Sequence, residues 1–257
     1  MPQKTVCVTG ATGFIAAFVV EKLLLRGYVV HATVRDLGNE SKHAHLLAFD
    51  GAAERLKLFQ ADVTDFSSLA APIASCDCVM HTATPVIIPM TGEVPQTRAE
   101  AEEAQLKPAV EGMIGVVEEC RKAGVKHIVL TSSVAAIAGI APENMPAVLD
   151  ESCWSDEDFL ERTAAWYTLA KTIQEKKAWE LTEKYGIKLC TVCPPLVLGS
   201  LHTAHFNYSH ARFKEIVDGT LAQGPLGENA WLARYGVVDV EDVALCHVRA
   251  VPIAVSR

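Results

Sequence analysis

Tyr167 and Lys171 stand four residues apart in Trp166–Lys171, which reads W-Y-T-L-A-K. On a helix that spacing sets both side chains on one face, one turn apart. A fixed ammonium beside a phenol favours the phenolate and draws its pKa below the usual ~10. The result is a proton donor usable near neutral pH. The plain alternative is a half-buried ring beside a solvated charge. The stretch Ala164–Lys184 reads as helix: it is rich in Ala, Leu, Glu and Lys, with no Pro, and the first Gly is Gly186. A third hydroxyl stands at the end of the run His127–Thr131 (HIVLT), where Ser132-Ser133 follows. Sites in open α/β sheets lie at the C-terminal ends of strands, so Ser133 is placed to bond a carbonyl oxygen. A serine there also forms turns.

The elements that must position these groups begin at the N-terminus. Thr5–Thr9 (TVCVT) is a short β-branched run and predicts a strand. Gly10-Ala-Thr-Gly13-Phe-Ile-Ala16 follows at once and opens a helix-like segment to Leu25, stopped by Arg26-Gly27. Strand, glycine turn and helix form the first half of a βαβ nucleotide site. Gly10 permits the tight turn, Gly13 lets the backbone approach a pyrophosphate, and Ala16 keeps the helix close to the strand. The second strand, Val29–Val34, ends at Arg35-Asp36. An NAD site would carry an acid there; a guanidinium suits a 2′-phosphate, as does Lys42 a few residues on. NADPH is therefore favoured over NADH, with Asp36 leaving the second option open. Leu56–Gln60 is a third strand. Asp62 after it either accepts from an adenine amino group or caps a helix over Phe66–Ala74. Cys78–His81 is a fourth strand, and the small residues Thr82-Ala83-Thr84 at its end leave room for a ligand.

Pro85–Gln96 reads as a loop and Ala99–Cys120 as a long helix, kinked or restarted at Pro108. Asp150–Asp158 could supply helix caps and reads chiefly as an acidic surface with one buried Trp. Lys188–Cys193 is a sixth strand, Pro194–Gly199 an extended segment, Asn207–Leu221 a helix over the cofactor, and Gly236–Val240 strand-like. Strands alternating with helices throughout predict an α/β fold with a doubly wound parallel sheet. Half of the 257 residues are apolar, enough for a sizeable core, while the net charge of −8 and the lack of a basic cluster argue against nucleic acid. No apolar run approaches the ~18 residues of a membrane span. MPQKTVCVTG is not a signal peptide, so a cytoplasmic location is expected and the eight cysteines read as reduced thiols. Cys190-x-x-Cys193 has the spacing of a redox or metal pair but no second pair to close a site, so no metal is expected.

Three features coincide: T-G-A-T-G-F-I-A (Thr9–Ala16), T-S-S (Thr131–Ser133) and W-Y-T-L-A-K. Together they resemble the extended short-chain dehydrogenase/reductases. A-T-V-R-D (Ala32–Asp36), H-T-A-T-P (His81–Pro85), L-K-P-A-V-E-G-M (Leu106–Met113), D-E-S-C-W-S-D (Asp150–Asp156) and P-P-L-V-L-G (Pro194–Gly199) resemble the dihydroflavonol reductase/cinnamoyl-CoA reductase group. The likeness spans nearly the whole chain. It implies a Rossmann fold and a catalytic set of Ser133, Tyr167 and Lys171, reducing a small-molecule aldehyde or ketone with NADPH. Tyr167 would give the proton, Lys171 would hold the ribose hydroxyls and lower the tyrosine pKa, and Ser133 would orient the carbonyl. It further implies that Gly10, Thr12, Gly13, Phe14 and Ile15 line the pyrophosphate and that Arg35 and Lys42 meet the 2′-phosphate. Asp62 and Val63 would border the adenine, Thr82, Ala83 and Pro194 would sit near the nicotinamide and its ribose, and Ser209 would reach the cofactor.

The resemblance does not name one substrate. Dihydroflavonol reductases carry an asparagine for flavonoid hydroxyls where this chain matches Ala138. Cinnamoyl-CoA reductases read N-W-Y-C-Y where this chain reads A-W-Y-T-L. Members also continue for some tens of residues past the region matching Val237–Ala250. The expected organisation is thus an NADP-binding domain over residues 1–200, with a partial, shortened substrate region over 201–257 packed on it. Two alternatives stand beside the reductase: a non-catalytic NADP(H)-binding sensor or partner subunit, and an NAD-dependent nucleotide-sugar epimerase or dehydratase, against which Arg35 argues. A monomer or homodimer is expected, the Met113–Val117 face serving as the pairing surface by analogy.

Overall fold

The computed structural model describes residues 3–84, 95–203, 207–220 and 236–251. Six strands make one parallel sheet: β1 (Thr5–Thr9), β2 (Val29–Val34), β3 (Leu56–Gln60), β4 (Cys78–His81), β5 (His127–Thr131) and β6 (Lys188–Val192), in the order 3-2-1-4-5-6. The order reverses between β1 and β4, which opens a crevice beyond their C-terminal ends. The register there is Thr9 beside His81, and at the other side of the site Thr131 lies beside Val192.

Successive residues of a strand face opposite sides of the sheet, so β1 feeds two cores. Val6 and Val8 pack with Phe18, Val20, Leu23 and Leu24 of the helix Phe14–Leu25. Cys7 faces the other way, with Val79, Ile128, Leu130 and residues of the helices Lys107–Ala123 and Trp166–Tyr185. Both sheet faces are covered, which is why these strands are continuous apolar runs. A second, two-stranded parallel sheet joins β7 (Leu196–Leu198) to β8 (Val237–Asp239). The helix Val240–Arg249 follows β8, and its Val240, Val243, Ala244 and Val248 enter the first core.

Strands 1 to 5 have the expected bounds, and β6 ends one residue early, at Val192. The long helix does not run unbroken from Ala99 to Cys120. It begins at Arg98–Ala101, loosens into a π-turn over Glu102–Leu106, and resumes as Lys107–Ala123, capped by Gly124 at φ +75°. Pro108 has no N–H, and its ring crowds the carbonyl four residues back; the wider turn absorbs both. Asp65, not Asp62, caps the turn Phe66–Leu69 by accepting from the Ser67 N–H; Asp62 accepts instead from the Thr64 N–H (2.9 Å) and hydroxyl (2.7 Å). Asn207 caps the helix Tyr208–Val217, which stops short of the expected end; Leu221 and all of the Pro85–Gln96 loop except Pro95 and Gln96 lie outside the described residues. In the acidic stretch Trp154 is half-buried, with Lys176 Nζ over its ring; the buried residue is Ser155.

The Met113–Val117 face is not a surface. Met113, Val116 and Val117 are fully buried against the sheet, because this side of the helix is what closes the second core. Among the described residues no helix is long and apolar enough to cross a membrane, and no cluster of three His, Cys, Asp or Glu could hold a metal ion. Cys190 and Cys193 are free thiols, the first exposed and the second half-buried.

The helix Lys107–Ala123 lies against Phe66 at Gly115, where a Cβ would overlap the ring. Gly115→Val is expected to lower stability by about 1–3 kcal/mol through overpacking. A urea titration would show it as a lower midpoint at unchanged slope.

Candidate active site

The glycine turn is held by threonines. The Gly10 N–H donates to Thr33 Oγ1 (3.0 Å) and the Ala11 N–H to the Thr33 carbonyl (2.9 Å). Gly10 has φ +65°, and a Cβ on it would lie 2.9 Å from the Ala83 Cβ, so the residue must be glycine on both counts. Gly13 starts the helix Phe14–Leu25 with no side-chain cap. No side chain caps the first N–H groups of that helix, which include those of Phe14 and Ile15 and follow Thr12 and Gly13.

Thr9 ties this turn to the end of β4. Its Oγ1 accepts from the N–H groups of Thr82 (3.2 Å) and Ala83 (3.1 Å) and lies 3.0 Å from His81 Nδ1. With two N–H donors already on that oxygen, its own hydrogen goes to Nδ1, which leaves the His81 proton on Nε2. The Thr82 hydroxyl donates back to the Thr9 carbonyl. Burial, and then the nearby Lys171, push His81 down to about 3, so this ring stays neutral and is no proton carrier.

Lys171 is buried. Its Nζ donates to the Thr131 carbonyl (3.0 Å), to Thr84 Oγ1 (3.0 Å) and to Gln174 Oε1 (3.3 Å). Burial lowers its pKa to about 8, with Glu175 and Cys193 opposing the drop. The Ser133 hydroxyl is hydrogen-bonded to the Tyr167 phenol and also accepts from the Ala135 N–H (3.1 Å). The three expected catalytic side chains thus come together where β5 ends. One expectation fails: Tyr167 is pushed up, not down. Desolvation of the half-buried phenol raises it, the Ser133 bond lowers it, and Tyr208 adds to the rise. Lys171 spends its hydrogens on Thr131, Thr84 and Gln174 instead.

The remaining expected positions sit around this centre. Arg35 and Lys42 are exposed at the end of β2 and on the helix Glu40–Leu47. Asp36 Oδ1 accepts from the Gly38 N–H (2.8 Å), so its carboxylate is used by its own turn. Asp62 lies at the end of β3 with its pKa lowered, chiefly by the Thr64 bonds and less by Arg35. Val63 packs its side chain toward Gly112. The Pro194 carbonyl accepts from the Val134 N–H (3.2 Å), which draws the segment after β6 beside Ser133. Ser209 is half-buried on the helix Tyr208–Val217. That helix is anchored over the glycine turn by the next residue: the His210 ring stands edge-on to Phe14 at 5.0 Å, and its Nε2 bonds the Gly199 carbonyl at 2.9 Å.

Sequence reasoning missed several residues. Thr84 was one small residue among three, and Gln174 was one polar residue on a long helix. His247, 116 residues from Thr131, bonds Thr131 Oγ1 through Nε2 at 2.7 Å. Its Nδ1 donates to the Val243 carbonyl (2.8 Å), so Nε2 accepts from the threonine hydroxyl. Burial lowers the pKa of this histidine and keeps it neutral. Behind the site the Ser132 hydroxyl donates to buried Glu175, which also accepts from Trp179 Nε1 (3.3 Å).

The chain belongs to the NAD dependent epimerase/dehydratase family, which it matches over residues 6–254. It is 39% identical over 245 residues to tetraketide alpha-pyrone reductase 1 of Arabidopsis thaliana, covering 95% of this chain and 71% of that protein. It is 39% identical over 252 residues to an anthocyanidin reductase of Vitis vinifera, covering 96% and 72%. Among solved structures, vestitone reductase from alfalfa superposes with a TM-score of 0.76 at 30% identity, covering 98% of this chain and 74% of that one. The yeast methylglyoxal/isovaleraldehyde reductase Gre2, complexed with NADPH, gives 0.74 at 27% identity, covering 96% and 73%.

Gly10→Ala is expected to weaken NADPH binding at least tenfold and to lower the melting temperature, since the new methyl meets both the strained φ and Ala83. A fluorescence titration of NADPH beside thermal denaturation checks both.

Proposed function

We propose that this member of the family is an NADPH-dependent reductase of an aldehyde or ketone carbonyl. The observation that carries the reading is the Ser133–Tyr167 hydroxyl pair one helical turn from the buried Lys171, at the strand end facing the glycine turn. The names of its relatives support the same class of reaction, and Gre2 supports the cofactor.

The residues fit the cofactor. An uncapped helix start and a turn with no space for a side chain suit a pyrophosphate held by Gly10, Thr12, Gly13, Phe14 and Ile15. Exposed Arg35 and Lys42 suit a 2′-phosphate. The guanidinium of Arg35 at the end of β2 favours NADPH over NADH, while Asp36 accepts one bond from the Gly38 N–H. Asp62 and Val63 would border the adenine, Thr82, Ala83 and Pro194 the nicotinamide end, and Ser209 the cofactor from above. The bound dinucleotide supplies the hydride.

The chain supplies the proton and the alignment. Tyr167, held protonated by its burial, hydrogen-bonds the carbonyl oxygen together with Ser133 and releases its proton as negative charge develops there. Lys171 would hold the ribose hydroxyls in exchange for one of its three present acceptors, and its positive charge would ease the phenolate left behind. The substrate is a soluble small molecule, and the enzyme acts in the cytoplasm as a monomer or homodimer.

Tyr167→Phe is expected to cut kcat by roughly 10²–10⁴-fold while NADPH still binds. Turnover of an aryl aldehyde, a dicarbonyl, a hydroxycinnamoyl-CoA and a dihydroflavonol, each with NADPH and with NADH, would check it; activity that survives the change sinks the mechanism. Arg35→Ala should raise the Kd for NADPH about tenfold or more and leave that for NADH unmoved. Lys171 loses its charge as pH rises through about 8, so kcat/KM should fall on the alkaline side with a midpoint near that value.

A further inference from the structure

We propose that Gln174 is a positioning residue for the reaction: its side-chain amide holds the Lys171 ammonium in place and keeps it charged. The proposal rests on the role given to Lys171 above. Gln174 is 1% exposed, one helical turn beyond Lys171 on the inward face of Trp166–Tyr185. Its Oε1 accepts from Lys171 Nζ (3.3 Å), and its Nε2 donates to the Ala109 carbonyl (3.1 Å) and more weakly to Thr84 Oγ1 (3.4 Å). Only one orientation of the amide satisfies these partners. An ammonium can only donate and a carbonyl can only accept, so Oε1 must face the lysine and Nε2 the helix Lys107–Ala123. Ala109 stands just past Pro108, at the restart of that helix. The bond therefore fixes the oxygen that meets Lys171 against a neighbouring element.

The acceptor also has an electrostatic task. Lys171 is buried, and burial favours its neutral form. The groups that bear on its charge are Glu175 on its own helix, His81 at the end of β4, and Cys193 after β6. His81 is neutral, and the Cys193 thiol is pushed up to about 11 by burial and Glu175. Neither is an anion near neutral pH. Glu175 is bound to Ser132 and Trp179; the oxygens that touch the ammonium are those of Thr131, Thr84 and Gln174, and of these Gln174 brings the side-chain amide. Removing the Gln174 oxygen costs the charged form a charge-assisted hydrogen bond.

The test is competitive acetylation of lysines with acetic anhydride across pH 6 to 11, read for the Lys171 peptide by mass spectrometry. It uses the full chain as wild type, Gln174→Met and Gln174→Glu. Methionine keeps the length of the side chain and removes the acceptor; the Lys171 titration should move down by about one pH unit. Glutamate should move it up by about as much. The alkaline limb of kcat/KM should move in the same two directions, and the Kd for NADPH should rise severalfold in Gln174→Met. If Gln174→Met does not fold, the upward shift in Gln174→Glu decides alone. Variants that titrate with the wild type, whatever their melting temperatures, overturn the proposal and leave Gln174 a packing residue. A chain that turns over nothing yet shows both shifts keeps the hold of Gln174 on the Lys171 charge and overturns the reductase reading instead.

Discussion

A buried ammonium is tolerated only if its hydrogens find acceptors, and Lys171 has three of each. The acceptors come from separate parts of the chain: Thr84 after β4, the Thr131 carbonyl at the end of β5, and Gln174 on the same helix. Satisfying one charge thus draws two strand ends and a helix to a single point. Ser133 follows Thr131 by two residues, and Ala83, beside Thr84, is the residue that Gly10 touches. The cofactor turn and the hydroxyl pair are linked through the lysine that serves both. Without those acceptors the charge would be shed by deprotonation, and the arrangement would lose its electrostatic purpose.

The surrounding titratable groups keep one division of labour. Burial holds His81 and His247 neutral, so each ring acts through fixed hydrogen bonds, not through proton exchange. Tyr167 is raised and stays loaded with its proton. The standing positive charge beside it is Lys171, and the nearest negative one, Glu175, is set back behind Ser132. A positive group near the forming oxyanion, a protonated donor and an anion kept one layer away suit reduction of a carbonyl.

Much of this could be read from residue order, because the deciding features are local. Runs of four to six mostly apolar residues give the strands, a glycine at a left-handed turn gives the cradle, and a spacing of four on a helix gives the Tyr167–Lys171 pair. What could not be read depends on packing. The Met113–Val117 stripe looks like a docking face until the sheet covers it. The Tyr167 pKa was expected to fall because its helical neighbour is cationic, but desolvation reverses the direction. Gln174 carries no signal in the sequence, and its burial goes with a partner in another helix. The split at Pro108 was legible as a break, while its π form was not, since proline alone does not say which carbonyl must yield.

The Thr131–His247 bond also bears on how the molecule is made. Thr131 gives its carbonyl to Lys171 and its hydroxyl to a histidine that lies 116 residues further on. β1 to β5 can pair as they leave the ribosome, and the Tyr167 helix can dock soon after. The strand end that carries the lysine acceptor is complete only when the helix Val240–Arg249 has emerged and seated itself on Phe14–Leu25. Such long-range closure comes late and is slow compared with local structure. A nascent chain therefore has the sheet before it has the finished strand end.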